Sequence, residues 1–331
     1  MMRILLLPAM LAVCAAQAFA QQDAPKSDVP KLEELVNHYN YSSRMALDFN
    51  EAGVEDKGKA MLIELTYVGQ SDEDHVPAYL IMPHGGGSYP AIIWGHWLKP
   101  GSKLANQDEF LEEALALARS GVVSLLIESP QARPTYVPEK EAMDALRQAS
   151  DNTLRQVIDV RRGVDLLLTR RNVDRNRIAY VGHSWNAGAG AILAAVEKRI
   201  GSFVLMAGTY SEQESMMTSK DPKVQAQIKE IGSERLKDLF DEYAWSDPAN
   251  FLGHTDGKAI LLQYGQQDSV TREQAQKALD AFSARDKRME FYPAGHALNN
   301  AALIDRDHWL EQHLRFKHLD EQLLKQIPQL K

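Results

Sequence analysis

Short apolar runs alternate along most of the chain with longer stretches in which apolar residues recur every three or four positions. The longer stretches predict amphipathic helices, as over residues 110–117 and 154–168. The short runs predict strands at residues 61–68, 76–82, 91–94, 122–127, 178–181, 202–206, 258–264 and 289–292. Strands that alternate with helices of about ten residues or more are typical of α/β proteins. The pattern therefore predicts a mostly parallel central sheet with helices on both faces.

The first two predicted strands are separated by a polar turn at residues 69–75, which favours an antiparallel hairpin. Pro77 places the second strand on or near an edge of the sheet, because proline cannot donate a hydrogen bond to a neighbouring strand. The following loop, residues 83–90, contains His84 and three glycines. These resemble an oxyanion motif, but they precede the next strand, and a turn between strands is the better interpretation.

The N-terminal segment is typical of a secretory signal peptide. Arg3 is followed by a short apolar core and by Ala-Phe-Ala at residues 18–20, which predicts cleavage before Gln21. A lipid attachment site at Cys14 is a weaker interpretation, because Val13 is bulky where such sites need a small residue. The predicted organisation is a signal peptide over residues 1–20, an N-terminal extension over 21–57 and one domain over 58–331.

A charged stretch of helical character, residues 209–256, is predicted to be an insertion within that domain. It separates two strands at the point where their ends would form a binding site, so it is a candidate lid. A surface excursion that never contacts substrate is an equally good interpretation of the same pattern.

Composition narrows the classes of function. The 331 residues are 44% hydrophobic and 25% charged, as in an ordinary globular protein. The formal net charge of −8 and the lack of a basic cluster argue against nucleic acid and against an anionic membrane surface as partners. The only cysteine, Cys14, lies in the predicted signal peptide, so the mature chain is expected to have no disulfide, thiolate nucleophile or cysteine-ligated zinc.

A candidate nucleophile lies where the strand at residues 178–181 runs through Gly182 into a helix of small residues. Ser184 is at the corner. A turn this sharp holds its central residue in a strained conformation and exposes the side chain above the sheet. The helix that starts behind it directs backbone N–H groups and its positive dipole end towards a ligand.

A serine nucleophile needs a base, and the base needs a third group that orients it. Asp268 and His296 each follow a predicted strand, at the edge of the sheet where Ser184 is expected. Since a histidine base must be neutral, activity is expected to fall as the pH drops through roughly 6 to 7. Glu128 also follows a strand and is an alternative acid.

Attack on an ester creates an oxyanion, which about two N–H donors stabilise. The amide of Trp185 is one candidate. The other is expected in the loop after residues 91–94, where Trp97 is the first choice and His96 the alternative. The Trp97 ring is either a wall of the substrate site or part of the core.

From residue 61 onward the chain resembles the α/β-hydrolase superfamily, and most of all the serine esterases similar to dienelactone hydrolases and acetyl xylan esterases. The resemblance rests on Gly-His-Ser-Trp-Asn at 182–186, Gly-Gln-Gln-Asp at 265–268, Gly-His at 295–296 and the helix and strand over 114–130. It implies Ser184 as nucleophile, Asp268 as acid and His296 as base, which is the chain order of α/β-hydrolases.

Three features depart from the pattern of these families. Asn186 stands where the corner usually has a second glycine, and Gly95-His96 replaces the usual His-Gly after the oxyanion strand. The nucleophile is serine, whereas dienelactone hydrolases resemble a cysteine variant, and this favours ordinary ester hydrolysis.

The sequence thus predicts a secreted or periplasmic serine esterase that acts on a small-molecule ester through an acyl-enzyme. No metal, cofactor, nucleic acid or stable membrane anchor is implied, and the oligomeric state is left open. A serine peptidase of prolyl-oligopeptidase type is an alternative, although 331 residues leave no room for its large extra domain. A non-catalytic binding protein with a hydrolase fold is the other alternative.

Overall fold

A nine-stranded sheet forms the centre of the computed structural model, which describes residues 31–98, 107–316 and 319–328. The strands are β1 (Asn50–Asp56), β2 (Ala60–Val68), β3 (His75–Pro83), β4 (Tyr89–Gly95), β5 (Val123–Ile127), β6 (Val173–His183), β7 (Ser202–Met206), β8 (Ala259–Gly265) and β9 (Asp286–Tyr292). All eight predicted strands are present.

Helices cover both faces of the sheet. They are α1 (Leu32–Asn37), α2 (Leu111–Arg119), α3 (Ala142–Thr169), α4 (Trp185–Val196), α5 (Glu212–Thr218), α6 (Pro222–Ile231), α7 (Ser233–Glu242), α8 (Arg272–Ala281), α9 (Asn300–Leu314) and α10 (Glu321–Leu324). Buried residues of α3, α4 and α8 form one apolar core, and buried residues of α2, α9 and α10 form a second core with alternate residues of the central strands. The predicted layered α/β architecture is confirmed.

The strand order is β1-β2-β3-β5-β4-β6-β7-β8-β9. The first three strands are antiparallel, β3 joins β5 antiparallel, and every pairing from β5 to β9 is parallel. Because ligands of such sheets bind at the carboxyl ends of the strands, the site is expected beyond the ends of β4 and β6 to β9.

The strand that contains Pro77 lies near an edge of the sheet but does not form it. β1 lies outside β2, so β3 is third from the edge. Pro77 is tolerated because the register pairs between β3 and β5 begin only at Ala78. The pattern did not predict β1, because its sequence Asn-Glu-Ala-Gly-Val-Glu-Asp is polar and six of its seven residues are exposed.

The insertion predicted over residues 209–256 is helical as expected. It contains α5, α6 and α7, followed by three short 3₁₀ turns at Ala244–Ser246, Pro248–Asn250 and Leu252–His254. It joins the end of β7 to the start of β8, on the side of the sheet where ligands bind.

The predicted signal peptide lies outside the described residues. The described part of the extension packs with the rest of the domain, since β1 pairs with β2 and the Tyr39 hydroxyl donates a hydrogen bond of 2.6 Å to the Trp245 carbonyl. None of the helices in the described ranges is long and apolar enough to cross a bilayer.

Candidate active site

Ser184 occupies the corner between β6 and α4 in a strained backbone conformation, with φ 59° and ψ −121°. Its amide donates a hydrogen bond of 2.7 Å to the Met206 carbonyl at the end of β7, which fixes the corner against the neighbouring strand. Gly182 is required because a Cβ there would overlap the Asn186 carbonyl oxygen. The corner therefore has the form that the sequence predicted.

Asn186, which stands where the usual motif has glycine, is fully buried, and both its side-chain amide and its backbone carbonyl form hydrogen bonds. Its side-chain amide donates to the His96 carbonyl at 2.6 Å and to Ser129 Oγ at 2.9 Å. Its own carbonyl accepts the Tyr180 hydroxyl at 2.9 Å. Asn186 thus joins the start of α4 to the segments that follow β4 and β5.

Asp268 and His296 form a hydrogen-bonded pair across the loops that follow β8 and β9. Asp268 Oδ2 lies 2.9 Å from His296 Nδ1, while Oδ1 accepts the Ser269 amide at 2.7 Å. The two loops approach so closely that a Cβ at Gly265 would overlap backbone carbonyl oxygens of the second loop. A carboxylate on Nδ1 places the proton of a neutral imidazole there and leaves Nε2 able to accept one.

Asp268 is held in its charged form. Partial burial of the carboxyl acts to raise its pKa, but hydrogen bonds from His296 and Ser269 outweigh burial and bring the pKa below the usual value of 3.8. A charged carboxylate at this point stabilises a protonated His296.

Three rings pack together beside Ser184. The Trp97 ring stacks on His183 with centroids 5.1 Å apart and on His296 with centroids 5.4 Å apart, and the two imidazoles lie 5.2 Å from each other. Trp97 is only 8% exposed, and its buried ring packs against both histidines.

Glu109, just before α2, links two of these rings. One carboxylate oxygen accepts the Trp97 amide at 2.6 Å, and the other lies 2.5 Å from His183 Nδ1. His183 Nε2 donates to the His296 carbonyl at 2.9 Å. His183 is fully buried, and each of its ring nitrogens has a hydrogen-bond partner.

The structure brings the predicted residues together to different extents. Asp268 and His296 are joined, and Ser184 is adjacent to them through His183, although no hydrogen bond links Ser184 Oγ to His296 in the part of the chain that the structure describes. Trp185 is the first residue of α4, where an amide has no acceptor within the helix. The Trp97 amide already donates to Glu109.

Glu128, the alternative acid, lies elsewhere. Its carboxylate is 3.6 Å from His96 Nε2, whereas His296 Nδ1 is bonded to Asp268. His96 is buried, and its Nε2 accepts the Ser129 amide, so His96 Nδ1 donates to the Trp97 carbonyl at 2.7 Å.

Within the described ranges, no three histidine, cysteine, aspartate or glutamate side chains lie close enough together to hold a metal ion.

Sequence reasoning did not predict the pairing of Glu109 with His183. His183 precedes Ser184 in the sequence, but this position alone does not predict a role for its side chain. Glu109 precedes an amphipathic helix, where an acidic residue is ordinary. Its contacts with Trp97 and His183 span 12 and 74 positions, and local patterns carry no signal for such contacts.

The comparisons with known proteins support the fold. No protein-family model matches the chain, and no curated protein sequence matches it. Its structure is similar to acetyl xylan esterase 1 from Thermoanaerobacterium sp. JW/SL YS485, with a TM-score of 0.66 and 16% identity over 84% of this chain and 92% of that chain. It is also similar to the acetyl xylan esterase from Paenibacillus sp. R4, with a TM-score of 0.67 and 15% identity over 86% of this chain and 100% of that chain.

A third similar structure is the glucuronoyl esterase from Solibacter usitatus, with a TM-score of 0.56 and 13% identity over 84% of this chain and 90% of that chain. These likenesses show that the chain has the α/β-hydrolase fold. The predicted resemblance is confirmed at the level of the fold.

The two roles of Glu109 give a prediction about stability. Glu109→Leu removes the carboxylate that accepts the Trp97 amide and lies against His183 Nδ1, and each hydrogen bond lost at a buried group costs about 1–3 kcal/mol. Glu109→Gln keeps an acceptor for the amide and a polar partner for the imidazole. We expect Glu109→Leu to lower the free energy of unfolding by about 2 kcal/mol or more relative to Glu109→Gln, measured by urea denaturation. Equal stability of the two variants would show that the pairing is not formed.

Proposed function

We propose that this chain is a serine hydrolase that cleaves carboxylic esters through an acyl-enzyme. The observation that carries the proposal is the strained Ser184 corner standing at the same sheet edge as the Asp268–His296 pair. The named esterases among the similar structures add support, because their chains are covered almost completely.

In the proposed reaction, His296 Nε2 accepts the Ser184 proton as Oγ attacks the ester carbonyl. Asp268 holds the other ring nitrogen and stabilises the imidazolium that forms. The imidazolium then gives its proton to the departing alkoxide, which leaves Ser184 acylated. Water activated by the same histidine releases the acid and restores the serine.

The oxyanion would be held by the Trp185 amide and by a second amide of the loop after β4. Trp97 stays the proposed second donor, with His96 as the alternative. In the structure the Trp97 amide donates to the Glu109 carboxylate, so a substrate oxygen would have to replace that carboxylate at 2.6 Å. The proposal for the Trp185 amide is supported by its position, because Trp185 is the first residue of α4 and an amide there has no acceptor within the helix.

Ser184→Ala tests the nucleophile. We expect a folded protein in which kcat/KM for short-chain p-nitrophenyl esters falls by about 10³-fold or more, with loss of labelling by a fluorophosphonate probe. Ser233→Ala, at an exposed serine that starts α7, is the matched control and should keep both activities. Unchanged turnover in Ser184→Ala would contradict the proposal.

The same assays separate the alternatives. A peptidase of prolyl-oligopeptidase type would turn over peptide amides in preference to esters. A non-catalytic binding protein would lack an activated serine and would not react with the fluorophosphonate.

The lowered pKa of Asp268 predicts how the activity falls on the acid side of its pH profile. Because the carboxyl stays charged while imidazole titrates, one proton controls the activity, and log(kcat/KM) should fall with a slope of one on the acid side. No second, steeper limb is expected down to about pH 4. A rate that stays flat to that pH would contradict His296 as the base.

Asp268→Asn should reduce the rate by about 10³-fold or more, because the imidazole tautomer is no longer fixed.

We also propose that the protein is exported to the periplasm or secreted, as the segment 1–20 predicts. N-terminal sequencing of the protein expressed with its own leader in a bacterial host should begin at Gln21. Retention of Met1 in the mature fraction would contradict export by cleavage.

A further inference from the structure

A cavity of about 310 Å³ lies beside the proposed nucleophile. Trp185 forms one wall, the first half of α3 forms another, and side chains of α5, α6 and α7 cover it. The insertion over residues 209–256 therefore covers this cavity. The cavity lies next to the turn that carries the proposed nucleophile, because Trp185 lines the cavity and directly follows Ser184. A group bonded to a carbonyl held at the Trp185 amide can extend into it.

The ionisable side chains that line this cavity are all acidic. Glu212 and Asp247 both line it, and no lysine, arginine or histidine is among the lining side chains of the described residues. Asp247 is occupied by the protein itself: it accepts the Ala249 amide at 3.0 Å and the backbone amides of Glu212 and Gln213. Glu212 takes part in none of the ion pairs formed among the described residues, although its residue keeps exposed surface. Burial of the carboxyl, and then the charge of Asp247, raise the pKa of Glu212 to about 7, so its carboxylate is charged above that pH and no cation among the described lining residues balances it.

The remaining walls are aromatic and apolar. Trp185, Phe240 and Tyr243 are half-buried and present ring surface to the same space. A cation over an aromatic face is stabilised by the ring quadrupole, and the effect is stronger where water is partly excluded. Aromatic rings with an unpaired carboxylate are the combination that binds an alkylammonium group.

The position of the cavity decides which half of an ester it would receive. His296 must protonate the departing alkoxide, so the alcohol half has to lie against His296. No residue of the loop that carries His296 lines the cavity, and neither does Trp97. The cavity is therefore placed for the acyl half.

We propose that this cavity binds the acyl group of the substrate and selects an acyl chain that ends in a cationic ammonium, recognised by Glu212 and the aromatic walls. The inference rests on the proposed ester hydrolysis, since it names the substrate class of that same site. It also gives α5, α6 and α7 a function as the cover of the acyl site.

Two isosteric esters test the inference. In p-nitrophenyl 4-(trimethylammonio)butanoate and p-nitrophenyl 5,5-dimethylhexanoate, the leaving group and the shape are the same and only the charge differs. We expect kcat/KM to favour the cationic ester by about tenfold at low salt. The preference should shrink in high salt, because salt screens the attraction between the ammonium and the carboxylate. It should also shrink as the pH falls below about 7, because the Glu212 carboxyl is then protonated.

Glu212→Gln should lower the preference for the cationic ester by about fivefold or more, because the carboxylate that attracts the ammonium is removed. Glu230→Gln removes the same charge from an exposed position of α6 that does not line the cavity, and it should keep the preference. A preference for the neutral ester, or an equal loss of preference in both variants, would overturn the inference. Preferred turnover of acetylated sugars that depends on Glu212 would also overturn it, since the carboxylate would then bind hydroxyl groups.

Calorimetric binding of the same two esters to Ser184→Ala separates this inference from the proposed function. If the wild-type protein hydrolyses neither ester but Ser184→Ala binds the cationic one more tightly, the function fails and the inference about the cavity holds. If both esters are hydrolysed at equal rates and bound equally, the inference fails and the function holds.

Discussion

The close packing of β6 against α4 is the constraint on which the candidate site depends. There is no space for a side chain at Gly182, because the Asn186 carbonyl already accepts the Tyr180 hydroxyl at that point. The Asn186 side chain then holds the segments after β4 and β5. The positive φ of Ser184 is thus maintained by buried hydrogen bonds from three strand ends, which can offset backbone strain of about 1–3 kcal/mol.

The opposite side of the site is fixed by backbone contacts between two loops. The Gln266 and Gln267 amides donate to the carbonyls of Tyr292 and Ala294, so the loops that carry Asp268 and His296 are hydrogen-bonded to each other. His183 extends this connection to the corner, because its ring is buried next to Ser184 and its Nε2 donates to the His296 carbonyl. In the proposed mechanism, nucleophile and base therefore share one rigid frame.

Sequence periodicity was sufficient for the parts of the fold that bury apolar side chains. The central strands could be predicted because they are apolar on both faces. The contact between Asp268 and His296 could be predicted because the topology brings strand ends to one edge of the sheet. β1 was missed because an exposed edge strand has no apolar alternation. Glu109 and His183 were missed because a buried polar pair depends on the packing of elements distant in the chain, and the type of residue alone does not reveal its partner.

The bond between Glu109 and the Trp97 amide bears on the proposed oxyanion donor. A buried backbone amide that has no acceptor costs about 1–3 kcal/mol, and an oxyanion donor lacks its substrate acceptor before the reaction begins. The carboxylate removes that cost in the resting protein, and its second oxygen is held by His183. A developing oxyanion would replace one oxygen with another at the same amide, so the donor keeps its orientation while its acceptor changes. The displaced carboxylate would keep its contact with His183, so Glu109, His183 and the Trp97 amide form one connected group beside the proposed oxyanion site.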